Sequence, residues 1–330
     1  MTMETLEQLR RQLDTADDLG GIVRTMKALA AVSIRQYEAA VRSLADYART
    51  VELGLHVVLR DLPAPEAAPR RKPAQRIGAI VFGSDHGLCG RFNEDIVRHA
   101  LERLAEHPAG VELRLLAVGA RAGSLLAHAG QPAEQTLFVP GSAQRITSTV
   151  RQVLLEIDAW QHEDRVARVY LFHQRPTGAG ERHRPAGALL LPVSLARFRR
   201  LEVARWPGPT LPAYRMERSR LFSALLRQHF FVTVFRACAE SLAAENASRL
   251  AAMQAAEKNL SERHTALLGA LRRTRQDAIT NELLDVVAGY EAQRQELGVP
   301  DLSKRKLQPV RGVDRSGRND VTAWSSPPWG

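Results

Sequence analysis

Apolar residues recur at alternating steps of three and four along the amino-terminal end of this chain, and this repeat constrains the fold most strongly. Such spacing is the seam of a coiled coil, and it continues far beyond the length of an ordinary globular helix. At about 1.5 Å per residue, a helix over residues 3–60 forms a rod about 85 Å long. The predicted seam positions are Leu6, Leu9, Leu13, Ala16, Gly20, Val23, Lys27, Ala30, Ile34, Tyr37, Val41, Leu44, Ala48, Val51, Leu55 and Val58.

Two of these seam residues, Gly20 and Lys27, are poor choices for a helix interface, and Gly20 is followed by a second glycine that favours a bend or fraying. A competing stripe of Ile22, Met26 and Leu29 runs beside them. The sequence therefore predicts either a shift of the seam at this level or a second face that contacts something else.

The helical period returns from about Met216 and continues to about Arg294. Two long helices at the two ends of one chain bury their seams most simply against each other. The sequence therefore predicts an antiparallel coiled coil in which these Leu and Met residues form the core. The carboxy-terminal seam comprises Leu225, Val232, Phe235, Ala239, Leu242, Leu250, Met253, Leu260, Leu267, Leu271 and Ala278.

Between the two helical segments the pattern changes to strands alternating with helices. Such alternation predicts an α/β domain with a largely parallel sheet, inserted between the coiled-coil helices. Strands are predicted at 77–82, 111–118, 136–139, 166–172 and 188–193, and helices at 93–106, 120–129 and 142–161. The predicted organisation is a coiled-coil helix at 1–61, a Pro-rich basic linker at 62–76, the Rossmann-like α/β domain at 77–205, a second coiled-coil helix at 213–294 and a disordered tail at 295–330.

Composition limits the function classes that remain. A formal net charge of +10 is either a solvated Arg-rich surface or a match for an acidic partner. The two cysteines, Cys89 and Cys238, have no spacing that suggests a metal site or a disulfide framework. Residues 1–12 lack the apolar core of a signal peptide, and no run reaches the roughly 18 apolar residues of a membrane span. We therefore expect any membrane association to come through a partner.

The segment Gly83-Ser84-Asp85-His86-Gly87-Leu88-Cys89-Gly90 follows a strand and precedes a helix, which is the position of a phosphate-binding loop. Its glycines fit neither a P-loop nor the dinucleotide fingerprint, so a tight turn that presents side chains to a neighbouring protein is the favoured interpretation. Asn93 is a plausible N-cap of the following helix. A Cys89–His86 nucleophile pair lacks an oxyanion hole, and we expect no catalytic residue, cofactor or metal ion.

Two histidines, His173 and His183, flank an Arg-rich turn and have no carboxylate or cysteine at ligand spacing. The sequence predicts that both lie at the surface.

The carboxy-terminal helix carries more large polar side chains near its seam than a simple hairpin needs. This density predicts that the helix tip contacts another protein. The polar residues are Asn246, Arg249, Arg275, Gln276, Thr280 and Glu282.

Four segments resemble motifs of the gamma subunit of F-type ATP synthases, and they occur in the family's order. Residues 26–31 (Met-Lys-Ala-Leu-Ala-Ala) resemble its amino-terminal helix motif, and residues 84–93 its central-domain motif with Asp85, Gly87, Cys89, Gly90 and Asn93. Residues 239–253 resemble the segment before the tip, and residues 275–289 the tip signature Ile-Thr-x-Glu-x-x-Asp-x-x-x-Gly. The resemblance covers roughly residues 4–292.

The chain also departs from the family pattern. Tyr290 stands where the family has Ala, Ala28 where a second Met is common, and residues 18–22 replace the usual Asn-Thr-x-Lys-Ile stretch. These changes resemble a divergent branch, similar to the alternative (N-type) ATPases that some bacteria carry beside the ordinary enzyme.

The resemblance implies a non-catalytic rotor stalk at the cytoplasmic face of the bacterial plasma membrane. Its implied partners are the alpha and beta subunits of the catalytic hexamer, the epsilon subunit and the c-ring, and it implies no nucleic acid. Rotation of the c-ring would be coupled through the stalk to the catalytic cycle. The implied bearing contacts with the beta subunits are Met26, Arg249, Arg275, Gln276, Thr280 and Glu282.

Two other classes remain open on the residues alone. One is a stand-alone α/β nucleotide-binding protein with a coiled-coil arm, and it would need nucleotide binding by the isolated chain. The other is a basic nucleic-acid-binding coiled coil, which would need aromatic residues interleaved with the Arg clusters.

Overall fold

The computed structural model describes residues 2–60, 76–108, 110–162, 165–177, 183–194, 198 and 213–296. Most of the predicted linker and nearly all of the predicted tail lie outside these ranges, so the predicted domain boundaries stay predictions. The chain divides into two compact units, one of residues 7–270 and one of residues 1–6 together with 271–330.

The helices are α1 (Thr2–Arg60), α2 (Phe92–Ala105), α3 (Ala120–His128), α4 (Ile146–His162) and α5 (Arg218–Glu296). The strands are β1 (Arg76–Phe82), β2 (Glu112–Val118), β3 (Gln135–Leu137), β4 (Arg168–Pro176) and β5 (His183–Leu191).

Helix α1 confirms the predicted seam, since every seam position from Leu6 to Val58 is buried or half-buried. The helix is continuous through Gly20 and the glycine that follows it. The competing stripe lies on another face, where Ile22 is 56% and Leu29 is 64% exposed. The stripe is therefore a second face of the helix and not a shifted seam.

Helices α1 and α5 pack antiparallel within the unit of residues 7–270. A Cβ atom on Gly54 would lie 3.0 Å from Cδ2 of Leu225, and the Lys27 ammonium lies 2.5 Å from the Glu257 carboxylate. Between these two points, the Tyr47 hydroxyl donates a hydrogen bond of 2.9 Å to Gln228. Contacts nearer the start of α1 therefore lie nearer the end of α5. This order confirms the predicted antiparallel coiled coil.

The sheet has five strands in the order β3-β2-β1-β4-β5. The first four strands are parallel, and β5 pairs antiparallel with β4 from Val169↔Leu191 to Pro176↔His183. The largely parallel sheet is therefore confirmed. The predicted strands at 166–172 and 188–193 are too short where they face each other, because β4 continues to Pro176 and β5 already begins at His183. An edge strand such as β5 tolerates Pro185, which cannot donate to the sheet.

Strand β1 is buried on both faces. Ile77, Ala79 and Val81 pack with α2 and α3 on one side. Ile80 and Phe82 face the other side, where the core is completed by α4 and by residues of both long helices, including Tyr37, Val234 and Leu242. The inserted domain and the coiled coil thus share one hydrophobic core.

Candidate partner-binding site

The strand-to-helix turn after β1 is held by Asn93, which lies inside the first turn of α2. Its side-chain oxygen accepts a 2.9 Å hydrogen bond from the Ser84 backbone N–H, and its amide donates to the Ser84 hydroxyl at 2.7 Å. The predicted role of Asn93 as the N-cap is wrong, since Arg91 holds that position without a side-chain capping bond. Asn93 is buried, and its amide ties the turn to the helix.

Asp85 connects this turn to two neighbouring segments. One carboxylate oxygen accepts a 2.9 Å hydrogen bond from the Ala120 N–H at the start of α3, and the other accepts one of 3.0 Å from Val139 N–H. The amino terminus of a helix attracts anions, and a bound phosphate would occupy this kind of position. In this chain, an internal carboxylate already occupies the start of α3.

The far side of the turn packs on α5. Cys89 and Phe92 are buried against Ala244, and burial raises the pKa of the Cys89 thiol, which makes it a poor nucleophile. Gly90 adopts φ +61°, and the exposed Leu88 adopts the same left-handed region at φ +62°. Gly87 is exposed beside Leu88, with open space around its Cα. The turn therefore presents Gly87 and Leu88 outward while Cys89 fixes its base.

A buried ion pair lies on α5, one helical turn beyond this contact. The Arg249 guanidinium donates to the Glu245 carboxylate at 2.7 Å, and their side chains are 14% and 6% exposed. Burial raises the pKa of Glu245, although Arg249 acts in the opposite direction. Burial likewise raises the pKa of Tyr37, with Glu245 as a secondary cause. The Arg249 side chain therefore has little exposed surface with which to contact a partner protein. A Glu four residues before an Arg on a helix is a recognisable pairing signal.

A second pair joins the sheet to α5. His173 is buried, and its Nε2 lies 2.9 Å from the Glu240 carboxylate, which Arg175 also approaches to 3.3 Å. Burial acts to raise the pKa of Glu240, but the hydrogen bond and charge of His173 outweigh it and lower the pKa. The predicted surface position of His173 is wrong.

The predicted surface position of His183 is also wrong. This histidine contacts Ser248 at 2.6 Å and the ring of Phe92, and only 14% of its side chain is exposed.

The end of α5 has a different character. Arg275, Gln276, Thr280 and Glu282 are all exposed, and the Thr280 hydroxyl donates to the Gln276 carbonyl at 2.9 Å. Exposed apolar side chains lie among them, each at least half accessible. They are Ile279, Leu283, Leu284, Val286, Val287 and Tyr290. The polar residues predicted a contact at this end of the helix but did not point to these apolar side chains. All of them except Tyr290 lie within the tip signature of residues 275–289.

The predicted contact residues thus form one group and two separate positions. Four of them lie close together in the last part of α5. Arg249 lies well before them in its buried ion pair, and Met26 is the half-buried member of the stripe on α1. An exposed surface that mixes large apolar and polar side chains is typical of a protein-binding surface.

Within the described residues, no three His, Cys, Asp or Glu side chains come together as a metal site. None of the helices there is both long enough and apolar enough to span a bilayer.

Comparison with known proteins identifies the family. A family model described as ATP synthase matches residues 5–293. An ATP synthase gamma chain from Bacteroides fragilis is 27% identical over 303 residues, covering 88% of this chain and 100% of the relative. One chain in a structure of Euglena gracilis mitochondrial ATP synthase (OSCP/F1/c-ring) shares the fold with a TM-score of 0.64 and 18% identity, covering 92% of this chain and 99% of that one. A chain of the rotor from the same organism's enzyme gives a TM-score of 0.57 at 18% identity, covering 84% and 99%. Together with the fold, the match over residues 5–293 places this chain in the ATP synthase gamma-chain family.

Proposed function

We propose that this chain is the central rotor stalk of an F-type ATP synthase or ATPase, and that it couples rotation of the c-ring to the conformational cycle of the alpha/beta hexamer. The observation that carries the proposal is the exposed surface at the end of α5, on a helix whose earlier part is packed in an antiparallel coiled coil. Family membership supports the same conclusion.

The physical basis is the asymmetry of a single stalk within a ring of repeated subunits. A stalk that contacts one beta subunit differently from the others stabilises a different conformation in each, as a ligand shifts a two-state equilibrium. This work requires stiffness and differential contacts at the stalk surface. The continuous helices and their shared core with the sheet provide the stiffness.

In this proposal Arg275, Gln276, Thr280 and Glu282 contact the beta subunits, and Met26 contacts them from α1. Arg249 contributes mainly by fixing α5 through Glu245, since little of its side chain is exposed. The central-domain motif holds the turn of residues 83–90, and the exposed Leu88 gives it a second contact point. The epsilon subunit and the c-ring are the proposed partners of the α/β domain.

The chain has no catalytic site of its own in this proposal, and it lies at the cytoplasmic face of the bacterial plasma membrane through its partners. The Asp85 carboxylate supports the first statement only for α3, because it fills the amino terminus of that helix, where an anion such as phosphate would otherwise bind. The alternative of a stand-alone nucleotide-binding protein predicts that the isolated chain binds ATP. Titration calorimetry of the isolated chain with Mg-ATP distinguishes the two, and stoichiometric heat would favour the alternative.

The rotor proposal is tested by the double substitution Arg275→Ala/Gln276→Ala in the assembled complex. Removing one polar interaction from a packed interface costs on the order of 1–3 kcal/mol. We expect coupled ATP synthesis in inverted membrane vesicles to fall, while the circular dichroism spectrum of the chain stays unchanged. Arg35 and Gln36 form a matched Arg-Gln pair at the surface of α1, and their double Ala variant is the control.

Two outcomes would contradict the proposal at different levels. If Arg275→Ala/Gln276→Ala and the control variant both synthesise ATP at the wild-type rate, Arg275 and Gln276 do not make the proposed contacts with the beta subunits. Failure of the wild-type chain to assemble with alpha and beta subunits would remove the rotor function itself.

A further inference from the structure

A groove of about 670 Å³ lies between α4 and the beginning of α5. Its lining is mainly apolar, with charged side chains at the edges. Leu155 in this lining is 70% exposed, a high value for a leucine on a helix that otherwise packs on the sheet. The central lining residues are Leu154, Leu155, Ile157, Leu226 and Phe230.

The residues that line the groove have the spacing of two neighbouring helix faces. On α4 its residues run from Arg151 to Gln161, and on α5 from Ser223 to Phe230, at the three- and four-residue steps of one helix face. The α4 wall is therefore about 15 Å long, or roughly three helical turns. Side chains at such spacing form ridges between which a neighbouring helix packs.

The charges around the groove are not balanced by the residues that the structure describes. Among the described residues, Arg151 and Arg227 have no carboxylate within ion-pair distance, and both are exposed. The acidic residue of the lining, Asp158, already approaches His162 at 3.4 Å. Two uncompensated guanidinium groups beside an apolar lining complement a partner that is both apolar and acidic.

We propose that this groove binds an acidic amphipathic helix of another protein. Apolar residues at i, i+3 or i+4 and i+7 of that helix would lie on Leu155, Leu226 and Phe230, and its carboxylates would pair with Arg151 and Arg227. Binding of a helix in a groove follows this pattern of anchors in other complexes. The inference goes beyond the rotor function and does not depend on it, because all the residues belong to the unit of residues 7–270.

The first test uses the full chain and a synthetic probe. A fluorescein-labelled 15-residue helical peptide carries Leu on one face at these spacings and Glu beside it, and its binding is followed by fluorescence anisotropy. We expect Arg151→Glu/Arg227→Glu to weaken binding at least tenfold, and a peptide with Lys in place of Glu to recover binding to that variant. Arg121→Glu, an exposed arginine on α3, is the control and should bind like the wild type.

A folded variant is confirmed by an unchanged circular dichroism spectrum. Should the double variant fail to fold, Leu155→Ser provides the second test, because this exposed side chain is dispensable for the core. Equal affinity for a scrambled peptide, no binding by the wild type, or no effect of either variant would overturn the proposal.

The second test identifies what occupies the groove in the cell. A benzophenone amino acid replaces Leu155 in the assembled complex, and products of illumination are mapped by mass spectrometry. Cross-links to a single helical segment of another subunit, with Asp or Glu flanking its apolar face, support the proposal. Cross-links to lipid, to residues 199–212 or 297–330 of the same chain, or to no partner at all overturn it.

Discussion

The buried pair of Glu245 and Arg249 gives the sharpest test of how α5 is stabilised. Replacement of Arg249 by Met keeps the apolar part of the side chain and removes the guanidinium that lies 2.7 Å from the carboxylate. The Glu245 charge is then uncompensated in a site where only 6% of its side chain is exposed. Breaking a buried pair in this way costs about 3–5 kcal/mol, and we expect a decrease of this size in the free energy of unfolding near neutral pH.

The decrease should depend on pH with a defined sign. Burial already raises the pKa of Glu245, and Arg249 is the main group that lowers it. In Arg249→Met the folded-state pKa therefore rises further above its unfolded value. A carboxyl group with a raised folded pKa binds its proton more tightly in the folded state, so stability is lost as pH rises through that pKa and recovered as pH falls. The deficit should be largest near neutral pH and shrink in mildly acidic solution.

Urea unfolding of the isolated chain, followed by circular dichroism between about pH 5 and 8, measures this effect. The variant Glu245→Gln/Arg249→Met lacks the titrating group, so its difference from Arg249→Met isolates Glu245. Arg263→Met removes an exposed arginine from the same helix and serves as the matched control. A deficit below about 1 kcal/mol, or one that does not change with pH, would refute the structural role and make Arg249 available for a partner contact.

Three further predictions concern the α/β domain and the thiols. Asp85→Ala should lower the free energy of unfolding by about 3 kcal/mol or more, because two backbone N–H groups lose a charged acceptor. Gly78→Ala should destabilise by about 1–3 kcal/mol, because a Cβ atom there would lie 2.6 Å from the Trp160 ring. Neither Cys89 nor Cys238 should react with a thiol-modifying disulfide reagent in the native chain, since both are buried and burial raises both pKa values.

The two substitutions have matched control variants, and the thiol prediction is compared with the chain unfolded in urea. Asp158→Ala removes an exposed carboxylate, and Gly87→Ala adds a Cβ atom where nothing lies within 4 Å, so both should change urea midpoints little. Equal midpoints for Asp85→Ala and Asp158→Ala would show that the turn does not depend on the Asp85 carboxylate. Thiol reaction in native buffer at the rate seen in urea would contradict the burial of the cysteines.

The coiled coil was predictable from sequence because its periodicity is long. Over many heptads, a few poor positions such as Gly20 and Lys27 do not alter the pattern, and both remain in the seam. The parallel strands were predictable for a related reason, since strands such as β1 that are buried on both faces form continuous apolar runs. The extent of β5 was not predictable, because an edge strand needs no continuous apolar run.

The polar residues were harder to place because their environment depends on segments distant in sequence. His173 is buried against Glu240, which lies on α5, and no local pattern reveals that contact. Asn93 has the residue type of an N-cap, yet its side chain bonds to Ser84 across the turn. The polar residues at the end of α5 predicted a contact with another protein; the structure shows these residues exposed, and the contact roles of Met26 and Arg275 remain predictions.

The shared core has a consequence for synthesis of the chain on the ribosome. One face of the sheet is completed by α5, through residues such as Val234 and Leu242, while the last strand ends at Leu191. Roughly fifty residues must therefore be added after the sheet before that face is covered, which takes about 3–10 s at typical rates of elongation. During that interval the apolar area that Val234 and Leu242 later cover is exposed on the nascent domain, so it offers a binding site to chaperones that recognise apolar segments.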